Sequence, residues 1–126
     1  MASFKLIFAN ALAEGIVTII LATAASAAGY DGTYVGTSAN YLGTSRSGKG
    51  NACGPMKAPY PLTISNGHAQ AKWGESETLD GDVGPDGKLV MHSSMSGRFE
   101  GQVAASGAIT GNYQGYCIYA LTWQKR

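Results

Sequence analysis

From Tyr30 onward, apolar and polar residues alternate along the chain. Leu62-Thr63-Ile64 and Ala69-Gln70-Ala71-Lys72-Trp73 follow this rhythm, as do Leu79–Val83, Leu89–Met95, Phe99–Val103, Ile109–Tyr113 and Tyr116–Trp123. Successive side chains of a strand point to opposite faces, so a period of two predicts half-buried strands. No window holds the 3.6-residue period of a helix. Turn residues separate the runs: Ser65-Asn66-Gly67, Pro85-Asp86-Gly87 and Ser106-Gly107. Asn-Gly supplies the positive φ angles of tight hairpins. The predicted fold is all-β, a small antiparallel meander closing into an up-and-down barrel of about seven to eight strands. A β-sandwich is the alternative.

A short element recurs: apolar-x-Gly-x-apolar, at Tyr30–Tyr34, Leu79–Val83, Phe99–Val103 and Ile109–Tyr113. Each glycine shares a face with the apolar residues around it. Glycine weakens a strand interior unless something local requires it. Sharp coiling of a small closed sheet is one such reason. Room for a large ring from across the core is another, with Tyr34, Trp73, Tyr113, Tyr119 and Trp123 as candidates. The alternation predicts a core of Tyr34, Leu62, Ile64, Ala71, Trp73, Leu79, Val83, Leu89, Met91, Met95, Phe99, Val103, Ile109, Tyr113, Tyr119, Leu121 and Trp123. Cys117 falls on the same face, which predicts a buried, structural disulfide.

The N-terminal residues break the pattern. A single Lys5 precedes the apolar run Ile16–Ala22, and small residues follow it to Ala28. Ala25-Ser26-Ala27 fits the small-x-small site of a signal peptidase, so residues 1–27 read as a cleavable signal peptide. The run is shorter than the roughly 20 apolar residues a spanning helix needs. Residues 28–126 then form one β domain. Its two cysteines, Cys53 and Cys117, predict one disulfide in an oxidising compartment, periplasmic or extracellular. No membrane span is expected after cleavage. A formal net charge of +1 excludes the strong basic excess of a nucleic-acid binder.

Residues 37–60 resist the alternation and read as a long polar loop, with a short strand around Asn51–Met56 to bring Cys53 beside the C-terminal strand. Long loops on rigid sheets carry recognition. No acid occurs between Gly32 and Gly74, while Arg46, Lys49, Lys57 and Lys72 lie there. Candidate binding residues are therefore Tyr41, Arg46, Lys49, Lys57 and Tyr60. No G-x-S-x-G stands in residues 28–126, and no H-E-x-x-H, P-loop or G-x-G-x-x-G opening a helix. His68 and His92 read as surface residues. Asp80 and Asp82 share an outward face but fall short of the oxygens Ca²⁺ takes. No nucleophile, base and oxyanion donor assemble. A non-catalytic domain is expected, with no cofactor and no metal.

The stretches YDGTYVGT, PLTISNG, LDGDVGPDGKLVMH, RFEGQV, GAITGNYQGYC and LTWQK follow one another from Tyr30 to the C-terminus. In these the chain resembles a family of small exported bacterial β-domain proteins of unknown function. The resemblance implies export and a β domain, and brings no site residues. At fold level the chain is also similar to avidin-like barrels, through GTY and LTW, although only Trp73 and Trp123 are present. It is similar as well to the small disulfide-bearing barrels that inhibit secreted metalloproteases. Their disulfide closes a short local loop, and an inhibitor needs an extended stretch before Tyr30, where only Ala28 and Gly29 stand. The leading expectation is an exported binding module for a protein, glycan or small ligand. A small-ligand carrier using the barrel interior and a protease-inhibitor-like barrel are the alternatives.

Overall fold

The computed structural model describes residues 29–44 and 53–126. Eight strands follow one another: β1 (Gly32–Thr44), β2 (Leu62–Ser65), β3 (His68–Lys72), β4 (Thr78–Val83), β5 (Lys88–Ser93), β6 (Arg98–Val103), β7 (Ala108–Gln114) and β8 (Cys117–Lys125). Each pairs antiparallel with its neighbour in sequence, and β8 returns to β1 to close the barrel. The predicted up-and-down barrel is therefore the fold, and the sandwich is not. The signal peptide expected at residues 1–27 lies outside the described residues.

The alternation converts directly into burial. β3 buries Ala69 and Ala71, β5 buries Leu89 and Met91, and β6 buries Phe99 and Val103. Ala39 and Ala69 join the core, and Trp73 is only partly buried against it. Met95 departs from the expectation: it is 68% exposed. The strand ends two residues early because the Ser93 hydroxyl accepts hydrogen bonds from the amides of Met95 (3.2 Å) and Gly97 (2.8 Å). Such side-chain bonds offer the backbone an alternative to the ladder.

The core-face glycines Gly81, Gly101 and Gly111 sit where neighbouring backbone comes too close for a side chain. A methyl at Gly81 would collide with the Val90 carbonyl, and one at Gly101 with the Thr110 carbonyl. Gly101 and Gly111 are direct cross-strand partners. The ring that fills the space above them is Phe99, from β6 itself, rather than an aromatic from across the core. Phe99 in turn meets Trp123 edge-on, with ring centroids 5.4 Å apart.

The expected loop at 37–60 is a strand as far as Thr44. β1 pairs with β8 along its length, but with register shifts between Gly36 and Ser38 and between Tyr41 and Gly43. Thr37 and Leu42 are the extra residues. A bulge inserts one residue and reverses which side chains face inward. Tyr34 is therefore buried before the first bulge and Ala39 after it, and period two is lost. The hydroxyls of Thr37 and Ser38 both converge on Thr122 Oγ1, at 2.6 and 2.7 Å. The strand expected around Asn51–Met56 is not present where it is described: Cys53–Met56 has no regular structure.

β1 pairs with β2 only through Gly32–Tyr34. Residues 53–61 cover the notch that this leaves beside the rest of β1. Pro59 is buried there, and a methyl at Gly36 would collide with its carbonyl. The segment is tied down at three points. Cys53 bonds to Cys117 with Cα atoms 5.6 Å apart. The Tyr119 hydroxyl donates to the Gly54 carbonyl at 2.7 Å, and Trp123 Nε1 donates to the Tyr60 carbonyl at 2.8 Å.

Candidate binding cleft at the open end of the barrel

An up-and-down barrel has two ends. At one, tight turns join β2 to β3, β4 to β5 and β6 to β7. Asn66 and Gly67 take φ values of 53° and 79°, the positive pair a type I′ turn requires. At the other end, residues 73–77, 94–97 and 115–116 connect the strands, and residues 53–61 cross beside them.

That second end holds a cleft of about 430 Å³, within the range of small-molecule sites. Met56, Trp73, Met95, Tyr113, Tyr116 and Tyr119 supply its apolar surface. Trp73 follows the inward series Ala69, Ala71 off the end of β3, and its amide donates to the Glu77 carbonyl at 2.8 Å. Tyr113 and Tyr119 are cross-strand partners on β7 and β8. The Trp73 ring lies 4.3 Å from that of Tyr113 and 6.1 Å, edge-on, from that of Tyr119. Gly97 and Gly115 give the Tyr113 ring its place, since a methyl at Gly97 would collide with the phenol. Cys117 also lines the cleft, so the disulfide expected to be buried is half-buried at the rim. The remaining polar lining is Glu75, Ser76 and Glu77.

Only part of the candidate set drawn from the sequence comes together here. Tyr41 reaches the rim, with its ring 5.7 Å from that of Tyr119. Tyr60 sits on the barrel's flank, where Lys72 Nζ lies 5.6 Å above its ring. It borders a separate groove of about 370 Å³ with Pro61, Thr63, Gln70 and Thr78. Lys57 is exposed on the crossing segment. Arg46 and Lys49 lie outside the described residues. Tyr113 and Tyr119 belong to the core as alternation predicts and also border the cleft, whereas Trp73, partly buried, and Met95, exposed, wall the cleft rather than fill the core. The missing signal is position: each stands at or just beyond the end of its strand, all at the same end of the meander.

The outer face carries a polar cluster. His68 Nε2 lies 2.6 Å from Asp80 and Nδ1 3.3 Å from Asp82, so one imidazole spans both carboxylates. Arg98 and Glu100 form the expected surface pair at 3.0 Å, with Lys88 also near Glu100. Among the described residues, no three His, Cys, Asp or Glu side chains converge to hold a metal. No helix of the described residues is long and apolar enough to cross a membrane.

No family model, curated protein or solved structure matches the chain.

Proposed function

We propose that this is an exported, non-catalytic binding protein that takes its ligand at the open end of the barrel. The observation that carries the reading is the cleft itself: aromatic walls, a few polar groups at one rim, and a size suited to a small molecule. The disulfide supports work in an oxidising compartment. The signal-peptide pattern and the resemblance to exported β-domain proteins point the same way. The barrel interior is a poorer place for a ligand, because Leu62, Leu79, Leu89, Met91, Phe99 and Leu121 are fully buried within it. The ligand-carrier reading thus moves from the interior to the mouth.

Amide shift mapping tests the site. The disulfide-bonded protein is screened against a library of small neutral, cationic and anionic fragments. Shifts should cluster at Gly74, Gly97 and Gly115 and vanish in Trp73→Ala. Hits confined to the groove beside Tyr60 or to the outer face would remove the mouth from the reading. Mass spectrometry of the protein recovered after export should find an N-terminus at Ala28 and a Cys53–Cys117 link. An N-terminus at Met1 would undo the export argument.

A further inference from the structure

Among the described residues, the charged side chains lining the mouth are of one sign. Glu75 and Glu77 border the cleft, and among the described residues no lysine, arginine or histidine does. Neither carboxylate is held by a hydrogen bond or ion pair from another described residue. Two aromatic faces elsewhere in the chain provide the contrast. Lys72 lies over Tyr60 at 5.6 Å, and Lys125 over Tyr34 at 5.9 Å. The rings of Trp73, Tyr113 and Tyr119 have no such cation among the described residues. A ring face attracts a cation through its quadrupole, and tryptophan does so best. A nearby carboxylate adds a direct Coulomb attraction that salt screens.

We propose that the mouth selects a small organic cation, an amine or quaternary ammonium carried on an apolar or aromatic body. The body packs against Trp73, Tyr113, Tyr119 and the two methionines, and the charge faces Glu75 and Glu77. This rests on the reading of the mouth as the binding site and adds the sign of the ligand's charge. A volume of about 430 Å³ takes a benzyl-sized ammonium whole.

Three probes of similar size and different charge provide the test: benzyltrimethylammonium, benzyl alcohol and phenylacetate. Each is titrated into the disulfide-bonded protein, read by tryptophan fluorescence and by the amides of Gly74, Gly97 and Gly115. The cation should bind about tenfold more tightly than the alcohol, with phenylacetate weakest. Raising the salt concentration should weaken the cation and leave the alcohol unchanged. Glu75→Gln/Glu77→Gln should bring the cation to within about twofold of the alcohol. Both positions lie on the loop between β3 and β4, and an unchanged denaturation midpoint confirms that the double variant folds. Equal binding of all three probes at these amides would overturn the charge assignment while leaving the mouth as a binding site. No response to the cation at these amides, with neutral fragments still bound there, would likewise overturn it. No response there to any probe or fragment would overturn both.

Discussion

The two ends of the barrel solve the same problem in different ways. At the turn end, backbone closes backbone. The carbonyls of Gly67, Gly87 and Gly107 each accept an amide from the next hairpin, from Val83, Val103 and Lys125, all at 2.8 Å. The Asp31 carboxylate accepts from the Asn66 and Gly67 amides. Gln102 and Gln124 donate to the carbonyls of Asp86 and Ser106. The result is a ring of bonds in which each turn holds the next. At the open end, side chains carry more of this work: tilted and edge-on ring contacts, one disulfide and the segment 53–61. Backbone bonds fixed by turn geometry leave little to exchange with a ligand. Rings that meet each other at a solvent-facing rim can meet a ligand instead. The turn end is thus held by interlocked backbone, and the open end, where the proposed ligand would sit, by side chains and the disulfide.

The strongest way to break that division is to remove the disulfide. Cys53→Ser/Cys117→Ser opens a ring of about 64 residues, and chain entropy puts the loss near 4 kcal/mol. That is a large share of the roughly 5–15 kcal/mol net stability typical of a domain. Urea denaturation measures the loss. Amide exchange locates it: Gly54 and Gly115 should lose protection well before Val83 and Val103. Uniform loss at both ends would mean that the barrel opens as one unit and the division is wrong.

A matched pair of substitutions sharpens the comparison. Asp31→Ala removes the acceptor for two turn amides and should cost about 1–2 kcal/mol, discounted for its solvent exposure. Trp73→Ala removes a half-buried ring and should cost a comparable amount, about 1–2 kcal/mol, because much of the ring is already wet. The two should separate in binding. Fragment binding at the mouth should disappear with Trp73→Ala and persist with Asp31→Ala. If Asp31→Ala abolishes binding too, the ends are coupled.

The turn end was legible in the sequence and the open end was not, for physical reasons. Asn66-Gly67 and Ser106-Gly107 announce their turns because few residues tolerate positive φ. Leu89, Met91, Phe99 and Val103 announce their strands because one face of the sheet excludes water. The second half of β1 was hidden by the bulges at Thr37 and Leu42, which shift the inward face by one residue each. The mouth was hidden by a different ambiguity. Trp73, Tyr113 and Tyr119 point inward, as core residues do, and alternation reports direction but not depth. Only closure of the sheet, which puts these three side chains at one rim, makes them border a cleft as well, Tyr113 and Tyr119 from within the core. Ser93 adds a smaller lesson: one hydroxyl ended a strand that the pattern carried on to Met95.

Tyr34 gives the finest test of the turn end. Its side chain is 1% exposed, and its hydroxyl donates to the Tyr30 carbonyl at 2.6 Å. Burial pushes the phenol's pKa above its ordinary value, and the negative charge of Asp31 pushes it in the same direction. The folded protein therefore keeps the Tyr34 proton at a pH where the unfolded chain has lost it. The stability this contributes is complete below the ordinary tyrosine pKa of about 10 and is lost as pH rises through the folded value. Tyr34→Phe should cost about 1 kcal/mol at pH 8, the net worth of one hydrogen bond. Between pH 8 and about pH 11, spanning that pKa, the variant should lose less stability than the parent, so the two denaturation midpoints converge. Parallel losses would mean that other groups set the alkaline limb. Convergence would show that ionisation of Tyr34, buried at the turn end, contributes to the alkaline loss of stability.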